Sequence, residues 1–150
     1  MLTKHFTLAE FIRSDTARSM GNSNRPTPAH EKNLYETALG MEKVRHFLGG
    51  YPIRITSGYR NPEVNKAVGG VANSDHALGW AVDFQVPGFG TPYEVAKAIS
   101  RSGIAFDQLI HERKPNGAWW VHLSFNPRSR RQLLTYNGKS YTQGIHEVRF

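Results

Sequence analysis

Apolar residues recur at three- and four-residue intervals in the first third of the chain, which is the periodicity of an amphipathic helix. The longest stretch of this kind contains Leu34, Ala38, Met41, Val44 and Leu48. Thr27 and Pro28 stand just before it, as an N-cap and a first helical residue. Thr7 and Glu10 have the spacing of a capping box, with Phe6 as a hydrophobic staple. The pattern therefore predicts a short helix over 8–13 and a long helix that ends near Gly49.

Later in the chain, apolar and polar residues alternate over short stretches, as they do in half-buried β-strands. The predicted strands are 53–56, 80–86, 106–112 and 119–125. Helices are predicted from Pro62 to Val68 and, behind a second capping box, from Thr91 to Ile99. A polar loop at 113–117 and the pair Asn137-Gly138 each predict a hairpin. This order of elements predicts an α+β fold, with helices packed on a central antiparallel sheet.

Composition narrows the class of protein. The chain has 150 residues, 39% of them hydrophobic, and no Cys. A chain of this length without an evident linker is expected to form one domain over 1–150. The absence of Cys excludes disulfides, thiolate metal sites and a cysteine nucleophile. Any metal site must therefore use His and carboxylate ligands.

The net charge of +7 favours anionic partners. No predicted helix carries a dense basic face and no nucleic-acid motif is present, so we do not expect a nucleic-acid partner. No stretch approaches the roughly 18 apolar residues of a membrane span. The first residues lack the apolar segment of a signal peptide, which predicts synthesis without export. A monomer is expected.

Two charged or polar residues interrupt apolar strands. Asp83 lies within the strand 80–86 and His122 within the strand 119–125, while His76 precedes Asp83 by seven residues. A buried carboxylate is costly unless it is paired or bound to a metal. Two imidazoles and one carboxylate would form a catalytic type of zinc site, with one position open for water. Taken singly, each His could instead be a satisfied core residue, and Asp83 a turn or ion-pair residue.

Three motifs around these residues occur in a fixed order. Residues 74–83 fit the pattern Ser-x-His-x-x-Gly-x-Ala-x-Asp, after Ser-Gly-Tyr-Arg-Asn-Pro at 57–62 and before Trp-Val-His at 120–122. This set resembles the D-alanyl-D-alanine carboxypeptidase-like zinc peptidases, which are related to the vancomycin-resistance dipeptidases and to the hedgehog domain. The order and spacing are most similar to those of short phage and prophage members. The resemblance covers about 53–125, with a similar helical lead.

The resemblance implies roles for individual residues. It places Zn²⁺ on His76, Asp83 and His122. Arg60 stands where the family has an arginine that contacts the substrate carbonyl and the developing oxyanion, which a fixed guanidinium stabilises. Ser74 is expected to orient the ligands or to bind substrate. Tyr59 and Asn65 are weaker candidates for substrate binding.

The general base is where the sequence departs from the family pattern. Many relatives have an acidic residue three positions before the last His ligand, and here Trp119 occupies that position. Glu112, at the end of the preceding strand, is the best replacement. If Glu112 pairs with Trp120, it shares the face of His122; if it pairs with Trp119, the rival His111 faces the metal instead. The sequence leaves this choice open.

The predicted function is zinc-dependent hydrolysis of peptide bonds in peptidoglycan stem peptides or cross-links, by an endolysin-like carboxypeptidase or endopeptidase. The alternative is a catalytically silent zinc module of hedgehog type that binds a partner. The predicted organisation is a helical lead (about 6–48), a metal-site core (about 53–125) and a basic C-terminal hairpin region (126–150). Arginines at 126–131 could hold an anionic polymer or form a solvated loop. The resemblance and the lack of a signal peptide together predict synthesis in the cytoplasm of a phage-infected bacterium, with access to the wall through a holin-type pore or a virion.

Overall fold

A computed structural model describes residues 1–150 as one α+β unit. The helices are α1 (Leu8–Ile12), α2 (Asp15–Ser19), α3 (Pro28–Phe47), α4 (Pro62–Ala67), α5 (Asp75–Leu78) and α6 (Pro92–Ser100). The strands are β1 (Arg54–Ser57), β2 (Ala81–Gln85), β3 (Gln108–Arg113), β4 (Trp119–Ser124), β5 (Gln132–Tyr136) and β6 (Tyr141–Gln143). Judged by length and apolarity together, none of the helices qualifies as a membrane span.

Local signals in the chain set the helix starts. The Thr7 hydroxyl accepts a hydrogen bond from the Glu10 backbone N–H, and the Thr7 backbone N–H donates to the Glu10 carboxylate, so the first capping box is present. Phe6 and Phe11 stack with their ring centroids 5.7 Å apart, as a hydrophobic staple requires. The apolar stripe of α3 is fully buried against the sheet, with Leu34 and Val44 among its least exposed residues. The predicted helical lead and its core face are therefore confirmed.

The six strands form one sheet in the order β1-β2-β4-β3-β5-β6. Four neighbouring pairs are antiparallel, but β3 and β5 are parallel. The α+β class with a central, mainly antiparallel sheet is confirmed, and the one parallel pair makes the whole sheet mixed. The reason is geometric: β4 runs back to the start of β3, where Ser124 pairs with Gln108. The loop 125–131 then delivers Gln132 to the other side of Gln108, so β5 runs with β3.

The register places the polar strand residues in rows across one face of the sheet. Asp83 pairs with His122, and His122 pairs with Ile110. Directly paired residues point to the same side of a sheet, and so do residues two positions apart on one strand. Glu112 therefore lies on the same face as Asp83 and His122. The opposite face packs on the helical core.

Candidate functional site

His76, Asp83 and His122 meet at one point, with one potential ligand atom from each within 4.8 Å of the others. Nδ1 of His122 lies 2.9 Å and Nε2 of His76 lies 3.3 Å from Oδ1 of Asp83. Two of these residues come from adjacent strands and the third from the short helix α5. This donor set, two imidazole nitrogens and one carboxylate oxygen, is of the kind that holds catalytic zinc.

Hydrogen bonding prepares His76 for a metal. Its Nδ1 donates to the carbonyl oxygen of Gly58 at 2.7 Å, which leaves the lone pair of Nε2 directed at Asp83. A backbone carbonyl in this position orients the imidazole and fixes its tautomer. Burial raises the pKa of Asp83, but the two histidines outweigh it and hold the pKa well below its usual value. The carboxylate is therefore ionised and the cluster fits a divalent cation.

The cluster opens into a cleft of about 450 Å³. The lining residues are Arg60, Val71, Ser74, Asp75, His76, Asp83, Gln108, Ile110, Glu112, Trp120, His122 and Tyr141. Of the predicted site residues, the structure thus brings together the three candidate ligands with Arg60, Ser74 and Glu112. It does not bring Tyr59 or Asn65 into the cleft.

The strand register places the two candidate bases on opposite faces of the sheet. Glu112 pairs with Trp120, which is the first of the two registers considered, and Glu112 lines the cleft. His111 points to the other side, where it is fully buried. Its Nε2 accepts a hydrogen bond from Trp119 at 2.7 Å, and its Nδ1 donates to the His146 carbonyl at 2.8 Å. Both ring nitrogens of His111 are engaged away from the metal cluster.

Glu112 has the electrostatic environment of an acid–base group. Burial, and then the negative charge of Asp83, raise its pKa to about 7. A carboxyl group with a pKa near neutrality can both accept and return a proton.

This pKa predicts how the stability of the metal-free protein depends on pH. Because the pKa of Glu112 is raised in the folded protein, its contribution to the free energy of unfolding is fully present below the unfolded pKa of 4.5. That contribution is lost as the pH rises through about 7. The loss amounts to about 3 kcal/mol. In Glu112→Gln no carboxyl titrates, so the chelator-treated variant should gain on the parent protein between pH 5 and pH 8. Urea unfolding of both proteins at the two pH values measures this; an equal loss in both would contradict the assignment.

Two buried side-chain donors, Arg60 Nε and Trp120 Nε1, make no hydrogen bond of regular geometry within the protein, although Trp120 still acts to lower the pKa of the neighbouring Glu112. No other buried side-chain nitrogen or oxygen lacks a partner. An unpaired buried donor is costly, so such groups are rare outside functional sites. Both nitrogens belong to residues that line the cleft, so these donors lie at this site and nowhere else in the protein.

Comparison with known sequences agrees with this geometry. Residues 4–124 match the sequence model of a family described as Peptidase M15. The chain belongs to the peptidase M15 family.

A curated relative of this M15 chain is the protein named zinc D-Ala-D-Ala carboxypeptidase from Streptomyces albus G. The two are 34% identical over 120 residues, which cover 80% of the chain and 45% of the relative. The M15 chain therefore spans less than half the length of the curated relative that it matches.

The helix α5 of this M15 protein is fixed by the residues at its two ends. The Ser74 hydroxyl caps α5 by accepting a hydrogen bond from Ala77, and it donates to Asn65 at 3.3 Å. Gly79 ends the helix with φ +86°, and a Cβ there would lie 2.9 Å from the carbonyl oxygen of His30. Both features require glycine at this position. Ser74 thus orients the segment that carries His76.

Tyr59 and Asn65 support the cleft from behind. Tyr59 is 1% exposed, and its hydroxyl bonds to Nδ1 of His30 at 2.9 Å. Asn65 is 2% exposed and donates to the carbonyl of Val71 at 2.7 Å. We therefore no longer expect either residue to touch a substrate.

The arginines at 128, 130 and 131 lie in an exposed loop, as a solvated loop predicts, but they also make specific contacts within the protein. Arg128 and Arg130 both pair with the fully buried carboxylate of Asp107, at 3.0 and 2.9 Å. Arg128 also bonds to Asp75, the neighbour of His76. Arg131 donates to backbone carbonyls and covers the Phe106 ring. These residues fasten the loop that sets the direction of β5.

Trp120, Gln108 and Tyr141 are cleft residues that the sequence analysis did not assign to the site. For Trp120 a signal was available, because it stands two positions before His122 on one strand and must share its face. No motif or pattern in the neighbouring sequence predicts that Tyr141 lines the cleft. It reaches the cleft only through the pairing of β6 with β5.

Proposed function

We propose that this M15 protein is a zinc-dependent peptidase that hydrolyses peptide bonds in peptidoglycan stem peptides or cross-links. The observation that carries the proposal is the placement of the His76, Asp83 and His122 cluster in an open cleft beside Glu112 and Arg60. The family match and the name of the Streptomyces albus G relative support the substrate class.

His76, Asp83 and His122 would hold the zinc ion. When bound, zinc supplies a Lewis acid that acidifies water and polarises a carbonyl group. Its three protein ligands leave room for water and substrate, as a catalytic site needs.

Glu112 moves the proton in this mechanism. As general base it takes a proton from the attacking water, whose oxygen forms a bond to the carbonyl carbon. It then returns the proton to the nitrogen as the C–N bond breaks, so the products are a carboxylic acid and an amine. Its raised pKa suits both steps, since a group near neutrality is an adequate base and an adequate acid.

Arg60 stabilises the charge that develops on the carbonyl oxygen. Its backbone N–H donates to the carbonyl of His76 at 3.2 Å, which fixes Arg60 beside the candidate ligand. Burial lowers the pKa of its guanidinium, and the Asp83 charge opposes this shift. Arg60 lines the cleft, and its guanidinium is the donor that we propose for the oxyanion, where a preorganised donor is most effective.

Digestion of purified peptidoglycan tests the proposal. The zinc-loaded protein is expected to release peptides, a chelator to abolish release, and added zinc to restore it. Mass analysis then identifies the bond: loss of a terminal D-Ala indicates a carboxypeptidase, and conversion of cross-linked to single muropeptides indicates an endopeptidase. No release by a protein that holds one zinc ion would favour the silent binding module instead.

A further inference from the structure

The sheet continues past Glu112 into a hairpin that the family match does not include. The match ends at residue 124, whereas β5 and β6 span 132–136 and 141–143. In the register, Glu112 pairs with Tyr136, and Tyr136 pairs with Tyr141. Paired residues share a face, so the row Glu112, Tyr136, Tyr141 runs across the cleft side of three strands.

Tyr141 is both accessible and held in place. Tyr141 lines the cleft and is 56% exposed. The ring stacks on Tyr136 with centroids 4.4 Å apart and an interplanar angle of 28°. A ring fixed in this way presents a contact surface that loses little conformational freedom when a ligand binds. The other apolar lining residues of the cleft are Ile110, Trp120 and Val71, of which Val71 is 67% exposed.

Strand spacing indicates which part of a peptide Tyr141 would meet. Adjacent strands lie about 4.8 Å apart, so the backbones at Glu112 and Tyr141 are separated by about 10 Å. An extended peptide advances about 3.3–3.6 Å per residue. A peptide with its scissile bond beside Glu112 would therefore reach Tyr141 with its second or third residue from that bond.

We propose that Tyr141, supported by Tyr136, is a substrate-contacting residue that binds a stem peptide two or three residues from the scissile bond and so favours longer peptides over minimal ones. This inference rests on the proposed function. The ring packs on aliphatic parts of the peptide, and the hydroxyl donates a hydrogen bond to a peptide carbonyl.

The test compares two soluble peptides that share the bond identified by the peptidoglycan digestion. One peptide has a single residue on each side of the bond, and the other has three. With zinc-loaded protein, Tyr141→Ala is expected to raise KM for the long peptide about tenfold, the scale of one lost aromatic contact. The kcat for the long peptide and both constants for the short peptide should not change. Tyr141→Phe, which keeps the ring, should show a smaller rise.

Tyr35→Ala is the matched control, because Tyr35 is 45% exposed on α3, away from the cleft. It should leave both peptides unaffected, and thermal melting checks that each variant is folded. Equal effects of Tyr141→Ala on the two peptides, or none on the long one, would overturn the inference while leaving the peptidase intact.

The affinity for the long peptide can also be measured without catalysis. Titration calorimetry of the long peptide into zinc-loaded Glu112→Gln, with and without Tyr141→Ala, should show about tenfold weaker binding in the double variant. Unchanged affinity would contradict the contact. If the parent protein neither cleaves nor binds either peptide, the proposed function itself fails and the inference falls with it.

Discussion

Replacing Glu112 with Gln should lower kcat by about 10²–10⁴-fold, the usual contribution of a positioned general base. The amide has nearly the same shape but cannot take a proton from water. Because Glu112 is not one of the three clustered ligands, the variant should still bind one zinc ion per chain. Hydrolysis of a soluble stem peptide and metal analysis of the same sample measure the two quantities.

Two control variants separate this effect from general damage. Glu36→Gln makes the same change on an exposed part of α3 and should keep full activity. His111→Gln removes the rival base; it should lower stability, because His111 is buried with two hydrogen bonds, but should retain activity per folded molecule. If instead His111→Gln is inactive while folded and Glu112→Gln is active, the assignment of the base is wrong.

Replacing Asp83 with Ala should remove both the metal and the activity. Asp83 is the anionic member of the cluster and lies within hydrogen-bonding distance of both histidines. Loss of a residue that merely orients a ligand lowers metal affinity about 10–100-fold, and the loss of a ligand should exceed that. We therefore expect at least about a 100-fold weaker affinity for zinc and activity at the level of the blank.

Competition with a zinc chelator measures the affinity, and hydrolysis is measured on the same preparations. Asp15→Ala is a suitable control, since the Asp15 side chain is 90% exposed and far from the cleft. It should keep one zinc per chain and normal activity. Stoichiometric, tight zinc binding by Asp83→Ala would show that the ion lies elsewhere.

The parts of the fold that the sequence predicted well depend on near neighbours in the chain. Both capping boxes, at Thr7 and Thr91, formed as their four-residue spacing predicts. The long helix α3 followed from five apolar residues on one stripe. The helices α2 and α5 were not predicted, because five and four residues are too few to show a period.

The pairing between strands that are distant in the chain was harder to predict from the sequence. The parallel pair β3–β5 depends on the loop after β4, which Arg128 and Arg130 fasten to the buried Asp107. Asp107 is 21 and 23 residues away from these arginines. The sequence showed the arginines but gave no sign of their common partner.

The sequence by itself determined the candidate metal ligands, because His76 and Asp83 belong to one short motif and His122 to another in a set order. Only the tertiary structure decided which side chains surround them. Side chains alternate faces along a strand, so a shift of one residue in the β3–β4 register would exchange Glu112 for His111. That register, and the position of Tyr141 three strands away from His122, result from the pairing of the whole sheet. The candidate ligands are thus a property of local sequence, whereas the positions of the candidate base and of the proposed substrate surface are properties of the assembled fold.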